Sequence, residues 1–592
     1  RLFAQNSISK NSKNSQTQRD RERERESRDF VFYRNMPASS PLVKVEGTTS
    51  LKETKLEDLK KKSVTSPRTP ILSERKRSSS HLNARDPVKK LKSSSPKDFQ
   101  KSVNVASPYE NRTKPGKVEL TYGTKIEKKS DDAFSTRVEG CEIDIMSGMM
   151  SENMRYMHVG SDEKVEILKR RSADHAERIR KHYALPPFSH PGDQSQDKIV
   201  VYGRIRVERF PGEVVSNRAG DCDPKLSEKQ GILLEGSEGR LVKLDVSRMS
   251  SVSLFSGQLV VVQGNSPNGR IFVASRIFSG VTPAPPVPRP LHAMTNTERV
   301  WVASGPFTLP TNFEFRPLQD LLHRVKEASP RPDALILMGP FLPENHPKIA
   351  SGDVVLDLGD DEPIEASFDE LFHVKVASLL SAFVSQTQCK TRILLVPSNE
   401  DVHHDCVYPQ PPFKSSLFRD EDGQDLTMGG QIVRLPNPAL VRVGNSVIGV
   451  NCADIPVHLI RSGDVYKWSA SAGSSKRPHR FERFADHLLK QRNFYPLEPA
   501  DRNIPLDMSF SEHLEISTRP DIILTRSNLS HFAKRSGETV FVNTGMLTRH
   551  GTGGTYAKFT VTPPKATSAM MTKSEDSSSS KESEDKDGLK IS

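Results

Sequence analysis

From residue 300 onward the chain repeats one unit: a short apolar run, a Gly-Pro or Pro step, and then a stretch with helical spacing. The first run is VWVASGPF at 300–307, the second ALILMGPF at 334–341, and the third, RILLV at 392–396, stops at Pro397. These runs are apolar at nearly every position, not at every second one. Such a strand must be covered on both faces, which requires layers above and below a largely parallel sheet. Helices are expected between the runs, at 317–328 and 368–386, and later strands at 446–451, 521–525, 539–543 and 555–561. The stretch 291–562 therefore reads as an α/β layered domain with its sheet buried between other layers.

Residues 198–278 follow a different rule. IVVYGRIRVE, GILLEGS, RLVKLDV, GQLVVVQGNS and IFVASRIF are short β-rich runs separated by Gly, Ser, Asn and Asp. About five strands in some 80 residues match a small OB-type barrel, placed at 196–282. Barrels of this kind hold single strands through aromatics interleaved with basic side chains. Here the strands are expected to expose few aromatics beyond Tyr202 and Phe272, so a protein-packing role is the stronger expectation. TPAPPVPRP at 282–290 supplies a stiff linker, assigned to 283–290. Upstream, 136–195 reads as a helical and extended linker: Asp162 is a candidate N-cap, Val165, Leu168, His175 and Ile179 recur at helical steps, and Pro186-Pro187 ends the run.

The formal net charge of +12 is unevenly placed. Residues 1–130 hold 31 Lys/Arg against 15 Asp/Glu, and the remainder holds 55 against 59. The basicity belongs to a tail, which argues against a duplex-binding surface on the body. Residues 1–135, rich in Ser, Lys and Pro, are expected to be disordered apart from a hint of an extended piece at Val118–Tyr122, and so is the 563–592 tail. Arg75, Lys76 and Arg77, followed by Lys89, Lys90 and Lys92, have the spacing of a bipartite nuclear import signal, which points to the nucleus. Ser66, Thr69, Ser95 and Ser107 each precede Pro and are candidate phosphorylation sites, where a phosphate would add about −1.5 to −2 of charge. The chain starts at Arg1, so a truncated start is expected. Five cysteines without a C-x-x-C pair indicate neither a zinc ribbon nor a disulfide framework, and no apolar run is long enough for a membrane span.

In layered α/β domains ligands sit at the carboxyl ends of strands. A two-metal phosphoesterase needs Asp-x-His after its first strand, Gly-Asp after the second, Asn-His after the third, and later His ligands, to hold cations about 3.5–4 Å apart. This chain has Gly305-Pro306, then Gly339-Pro340, then Ser398-Asn399-Glu400-Asp401, with Glu400 at the His position, and Arg526-Ser527-Asn528-Leu529 where further ligands would stand. Pro and apolar side chains coordinate no divalent ion. Gly352–Asp357 has one residue too many for a Gly-Asp-x-x-Asp set. His403-His404-Asp405 reads as loop packing, because adjacent histidines diverge on an extended chain. Gly551–Thr555 lacks the Lys and the helix of a phosphate cradle and reads as a turn.

Six stretches carry a family resemblance: SPYENRTKPGKVELTYG, the barrel ending VASRIFSG, ILMGPFLPENH, LVPSNEDVHHDCVYPQPPF, LPNPALVRVGNSVIGVNCADIPVHLIR and FVNTGMLTRHGTGGTYAKFTV. They span about 107–562 and resemble the B-subunit family of DNA polymerase alpha, the VHH and YPQPPF pieces being the most specific. The resemblance implies an OB-fold barrel packed on an inactivated calcineurin-like phosphoesterase domain, with disordered N- and C-terminal tails. It implies a non-catalytic accessory subunit that needs no cofactor. Its expected partners are the catalytic subunit of the polymerase, through a C-terminal zinc domain, and the large and small primase subunits, with DNA reached only through the complex and no membrane. The small N-terminal helical domain of that family is not readable here. Two other classes compete: a metal-dependent phosphodiesterase with an atypical set around Asn399, Asp401, His403 and His404, and a free single-strand DNA-binding protein.

Overall fold

The three apolar runs lie side by side as parallel strands, Glu298–Ser304, Ala334–Met338 and Arg392–Val396, with Ile432–Arg434 extending the set in parallel at one edge. A computed structural model describes residues 28–34, 109–112, 116–123, 141–148, 150–208, 231–287, 297–356, 364–387, 390–420, 422–469 and 477–561. On the other side of Glu298–Ser304 the sheet continues antiparallel through Thr555–Val561, Arg28–Arg34 and Val118–Tyr122. A second, six-stranded sheet runs in the order Phe532–Ser536, Thr539–Asn543, Ile522–Thr525, Ser446–Asn451, Ala439–Val443, Ile143–Ile145.

The two sheets pack face to face. Val300, Val302, Ile336, Leu394 and Val396 meet Val441, Ile448, Val450, Leu524 and Val542 in one dry layer. The outer face of the first sheet, through Trp301, Leu335, Leu337, Ile393 and Leu395, is covered by the Arg316–Glu327 helix and by a helical run from Phe368 to Thr387. The outer face of the second sheet, through Leu440, Val447, Ile523 and Phe541, is covered by the Ile455–Ser462 and Arg480–Gln491 helices. The result is a four-layer α/β/β/α sandwich. Two sheets, not one, satisfy the both-faces-buried rule, because successive side chains of each strand enter different cores. Each fully buried Val, Leu or Ile contributes about 1.5–3 kcal/mol.

Residues 195–278 close into a five-stranded barrel around Val201, Ile205, Leu234, Val262 and Phe272. The Ser161–Tyr183 helix seals one side of it through Ala176 and Ile179, against Val200, Val261 and Phe278. Gly160, not Asp162, is its N-cap; Asp162 sits in the first turn, where a carboxylate complements the exposed N–H groups. Val252–Leu254 of the barrel pairs antiparallel with Val465–Lys467 of the sandwich, so a two-stranded ribbon joins the domains.

The expectation of disorder across 1–135 outside Val118–Tyr122, and of a linker role for the helical and extended 136–195, needs correction where residues are described. Arg28–Arg34 and Val118–Tyr122 are outer strands of the first sheet, and Ile143–Ile145 is the edge of the second. Arg112 forms a buried ion pair with Asp320 at 2.7 Å, and the Tyr109 hydroxyl donates to the same carboxylate at 3.1 Å. Unpaired strand edges accept short segments from far away in sequence, and a run of three to seven residues carries little local signal of its own. The import clusters (Arg75, Lys76, Arg77, Lys89, Lys90, Lys92) and Ser66, Thr69, Ser95 and Ser107 lie outside the described residues. Among the described residues no helix is long and apolar enough to cross a membrane.

Candidate functional site

The two Gly-Pro loops end neighbouring strands and are pressed together. Gly305 N–H donates to Met338 O and Gly339 N–H to Val396 O, both at 2.8 Å, so each loop starts by copying the sheet register. A Cβ on Gly305 would stand 1.9 Å from Pro340 O, and one on Gly339 would stand 2.5 Å from Asp401 Oδ2 and 2.9 Å from Ser398 N. Backbone occupies the space into which a side chain at either position would project. Glycine is required by close approach here, not by a positive φ.

Asp401 holds these loops. Its Oδ1 accepts from Phe341 N–H at 2.5 Å and Leu342 N–H at 2.8 Å, and its Oδ2 from Ser398 N–H at 3.0 Å. The carboxyl is fully buried, and desolvation pushes its pKa up to about 7 against the opposing pull of the three N–H donors. With three backbone donors on it, Asp401 acts as a tether between loops.

Beside it lies an open cleft of about 450 Å³, lined by Ser398, Asn399, Glu400, Asp454 and Asn528 among others. One lining residue is held by an ion pair: the Arg526 guanidinium, 3% exposed, grips Glu400 with both terminal nitrogens, NH2 reaching Oε2 at 2.7 Å. Glu400, 30% exposed, forms part of the cleft wall. Arg526 enters from the end of the Ile522–Thr525 strand in the second sheet, so this pair ties the strand ends of the two sheets together. Asp454 caps the Ile455–Ser462 helix and also accepts from Ser527 Oγ at 2.6 Å and Asn528 N–H at 3.0 Å. Asn399 donates to Cys406 O at 2.9 Å.

The structure thus gathers Gly305, Pro306, Gly339, Pro340, Ser398 and Asp401 into the wall behind the cleft and leaves Asn399 and Glu400 on its surface. The other candidates go elsewhere. His403 closes a triangle of rings with Phe372, 4.4 Å away, and Phe413, 5.3 Å away, which are 5.0 Å from each other, and burial lowers its pKa to about 3. His404 Nε2 lies 2.8 Å from Pro411 O. Thr552–Gly553 forms a tight ribbon with Thr548–Arg549 before the Thr555–Val561 strand, so that glycine run is a turn. Among the described residues no group of three or more His, Cys, Asp and Glu could hold a metal ion. Sequence reasoning missed Asp454 as a member of the site, although Asp-Ile-Pro at a helix start is a readable cap signal. Arg526 was visible only as a non-ligand; nothing local pointed to Glu400 as its partner.

Sequence comparison places the chain among known proteins. The family of DNA polymerase alpha/epsilon B-subunits matches residues 300–534, and the OB domain of the DNA polymerase alpha B-subunit matches residues 165–280. The DNA polymerase alpha B-subunit of Bos taurus is 27% identical over 489 residues, covering 80% of this chain and 71% of that protein. The Schizosaccharomyces pombe protein of the same name is 30% identical over 399 residues, covering 64% and 62%. The Saccharomyces cerevisiae one is 27% identical over 466 residues, covering 71% and 62%.

Proposed function

We propose a function from one premise: the chain belongs to the DNA polymerase alpha B-subunit family. It is an accessory subunit acting in DNA replication. The four-layer sandwich is, in this reading, a calcineurin-like phosphoesterase domain whose catalytic centre has been replaced by structure. One observation carries this: the strand ends where two cations would be bridged hold the buried guanidinium of Arg526, paired with Glu400. A guanidinium stays protonated at any working pH and repels a divalent ion. The residues at this site do not fit a two-metal centre, because the flanking positions are Gly305, packed against the Pro340 backbone, and Gly339, packed against Asp401 and Ser398. No hydrolytic step is assigned to the cleft.

The barrel and the sandwich then serve as one platform. The Val252–Leu254 and Val465–Lys467 ribbon, and Gln491 bonded to both Leu259 and Ser279, make the joint stiff enough to present a composite surface. We assign that surface to the C-terminal zinc domain of the catalytic polymerase subunit, with the large and small primase subunits held in the same assembly and DNA contacted through it. The basic tail directs import to the nucleus through the Arg75–Arg77 and Lys89–Lys92 clusters, and Ser66, Thr69, Ser95 and Ser107 are its phosphorylation sites.

The test is affinity purification from nuclear extract at moderate salt, with metal analysis of the eluate. Stoichiometric recovery of a large polymerase chain and two primase chains is expected. Recovery of the protein alone, with bound manganese, iron or zinc and hydrolysis of a phosphodiester, would overturn the reading in favour of an enzyme.

A further inference from the structure

The Arg480–Gln491 helix has two buried faces. Phe484, Ala485, Leu488 and Leu489 enter the sandwich core, while Arg483, His487 and Gln491, spaced four apart, turn toward the barrel. Gln491 is fully engaged: its amide donates to Leu259 O at 2.9 Å and Ser279 O at 2.6 Å, and its carbonyl accepts from Leu259 N–H at 2.9 Å. The two residues above it are not. His487, 2% exposed, has Nε2 at 3.0 Å from Ser253 Oγ, but its Nδ1 has no hydrogen-bond partner among the described residues. Arg483, 8% exposed, spends a terminal nitrogen on Asp464 and stacks 3.7 Å above the Tyr466 ring, and its Nε likewise has no partner there. Leaving a buried polar group unpaired costs about 1–3 kcal/mol. Two such atoms on one helix face, one turn apart, mark a surface built for something else.

Both residues line a cavity of about 390 Å³ at the seam between the domains, whose barrel wall sets Val252, Leu254 and Ile277 among the hydroxyls of Ser251, Ser253 and Ser279. The carboxylates at the rim are already committed. Glu482 caps its own helix by accepting from His479 N–H at 2.9 Å, and Asp486 pairs with Lys490 at 2.7 Å. What Arg483 Nε–H and His487 Nδ1 lack is therefore an acceptor within reach. Arg483 Nε–H can only donate, and His487 carries its proton on Nδ1 in the tautomer where the Ser253 hydroxyl donates to Nε2.

We propose that this cavity is a docking pocket for a carboxylate-bearing residue of a partner polypeptide, its oxygen bridging Arg483 Nε–H and His487 Nδ1–H while the flanking apolar residues lie on Val252, Leu254 and Ile277. The same residue then touches both domains and locks their seam. The apolar side chains of the barrel wall fit a single acid between apolar neighbours, and Lys490 and Arg535 in the same lining balance Glu482 and Asp486, so an acid is not repelled. The proposal needs a polypeptide partner but not the one assigned above, so either reading can fail alone.

The test titrates the full chain with acetyl-Leu-Glu-Leu-amide and with acetyl-Leu-Gln-Leu-amide, reading the fluorescence of Trp468, which directly follows the ribbon strand. The Glu peptide is expected to bind about tenfold tighter, the worth of one charged hydrogen bond. Arg483→Lys keeps a cation for Asp464 but has no Nε–H, and should abolish that preference. His487→Phe, which keeps a ring against Phe255, should do the same and serves if the first variant fails to fold. Equal binding of the two peptides, absence of binding up to their solubility limit, or a preference that survives in a folded variant overturns the proposal. Displacement of the Glu peptide by oligothymidylate at low salt overturns it in favour of a nucleic-acid site.

Discussion

Removing the two halves of the Glu400–Arg526 pair should have unequal effects. Glu400→Gln leaves a guanidinium that cannot lose its proton and whose side chain is 3% exposed. Breaking a buried pair in this way costs about 3–5 kcal/mol. The Asp454 carboxylate also acts on Arg526 and brings the expectation to the lower end, about 3 kcal/mol. Arg526→Met leaves instead a carboxylate that lines an open cleft and is 30% exposed. Water reaches it there, so the loss falls to about 1–2 kcal/mol, mostly hydrogen bonds and packing. Once Arg526 is Met, adding Glu400→Gln should cost almost nothing further. The assay is urea unfolding of the four proteins at pH 7, comparing midpoints at equal slope. If Arg526→Met destabilises as much as Glu400→Gln, the charge asymmetry argued from burial is wrong, and Arg526 matters by its shape alone.

Gly339→Ala should destabilise by about 2 kcal/mol or more, since the new Cβ meets Asp401 and the Ser398 backbone inside a packed wall; thermal melting reads this directly. His403 is neutral in the fold with a pKa of about 3, against about 6.5 when unfolded. Its contribution is complete above pH 6.5 and is lost as pH falls from there toward 3, by at most about 1.4 kcal/mol per pH unit. His403→Phe keeps the stack with Phe372 and Phe413 and should therefore gain up to about 2 kcal/mol on the wild type between pH 6.5 and pH 5, in urea midpoints taken at both. Arg112→Ala leaves Asp320 buried with Tyr109 and with Arg316 at 3.5 Å as the nearest cation, and should cost about 2 kcal/mol by the same assay.

What could be read in advance follows from how far each signal reaches along the chain. The strands at 300–304, 334–338 and 392–396 were legible because burial on both faces writes itself into every position. The same property hid the second sheet: when each residue is apolar, nothing in the sequence says that Val302 and Trp301 face different cores. The Arg480–Gln491 helix, not among the elements expected from the sequence, was hidden for the opposite reason. Arg483, His487 and Gln491 look like a solvated stripe, yet all three are buried, because a second domain and not water covers that face. Arg28–Arg34 and Val118–Tyr122 gave little because sheet pairing at an edge is decided by backbone groups, which every residue carries.

The candidate site divides along the same line. The loop at Ser398–Asp401 was placed correctly at a strand end, since strand, Pro and turn are local features. The role of its acids was not local. Asp401, which would count as a surviving ligand type, is spent on Phe341, Leu342 and Ser398, and Glu400 is spent on a residue 126 positions away. Residue type alone suggests remnants of a metal centre; residue partners suggest a different problem. Once bridging cations are lost, the carboxylates and carbonyls at the strand ends still repel one another in a dry wall. A fixed cation relieves this only if it cannot leave and needs no coordination sphere, and arginine meets both conditions. If the sandwich descends from a two-metal phosphoesterase, as proposed above, Arg526 accompanies the loss of the metal rather than merely following it. Restoring the usual residue type at the third strand with Glu400→His should then not restore metal binding, because the guanidinium remains; calorimetry with Mn²⁺ on E400H and on E400H/R526H separates the two. Binding by the single variant would show that Arg526 is incidental to the loss.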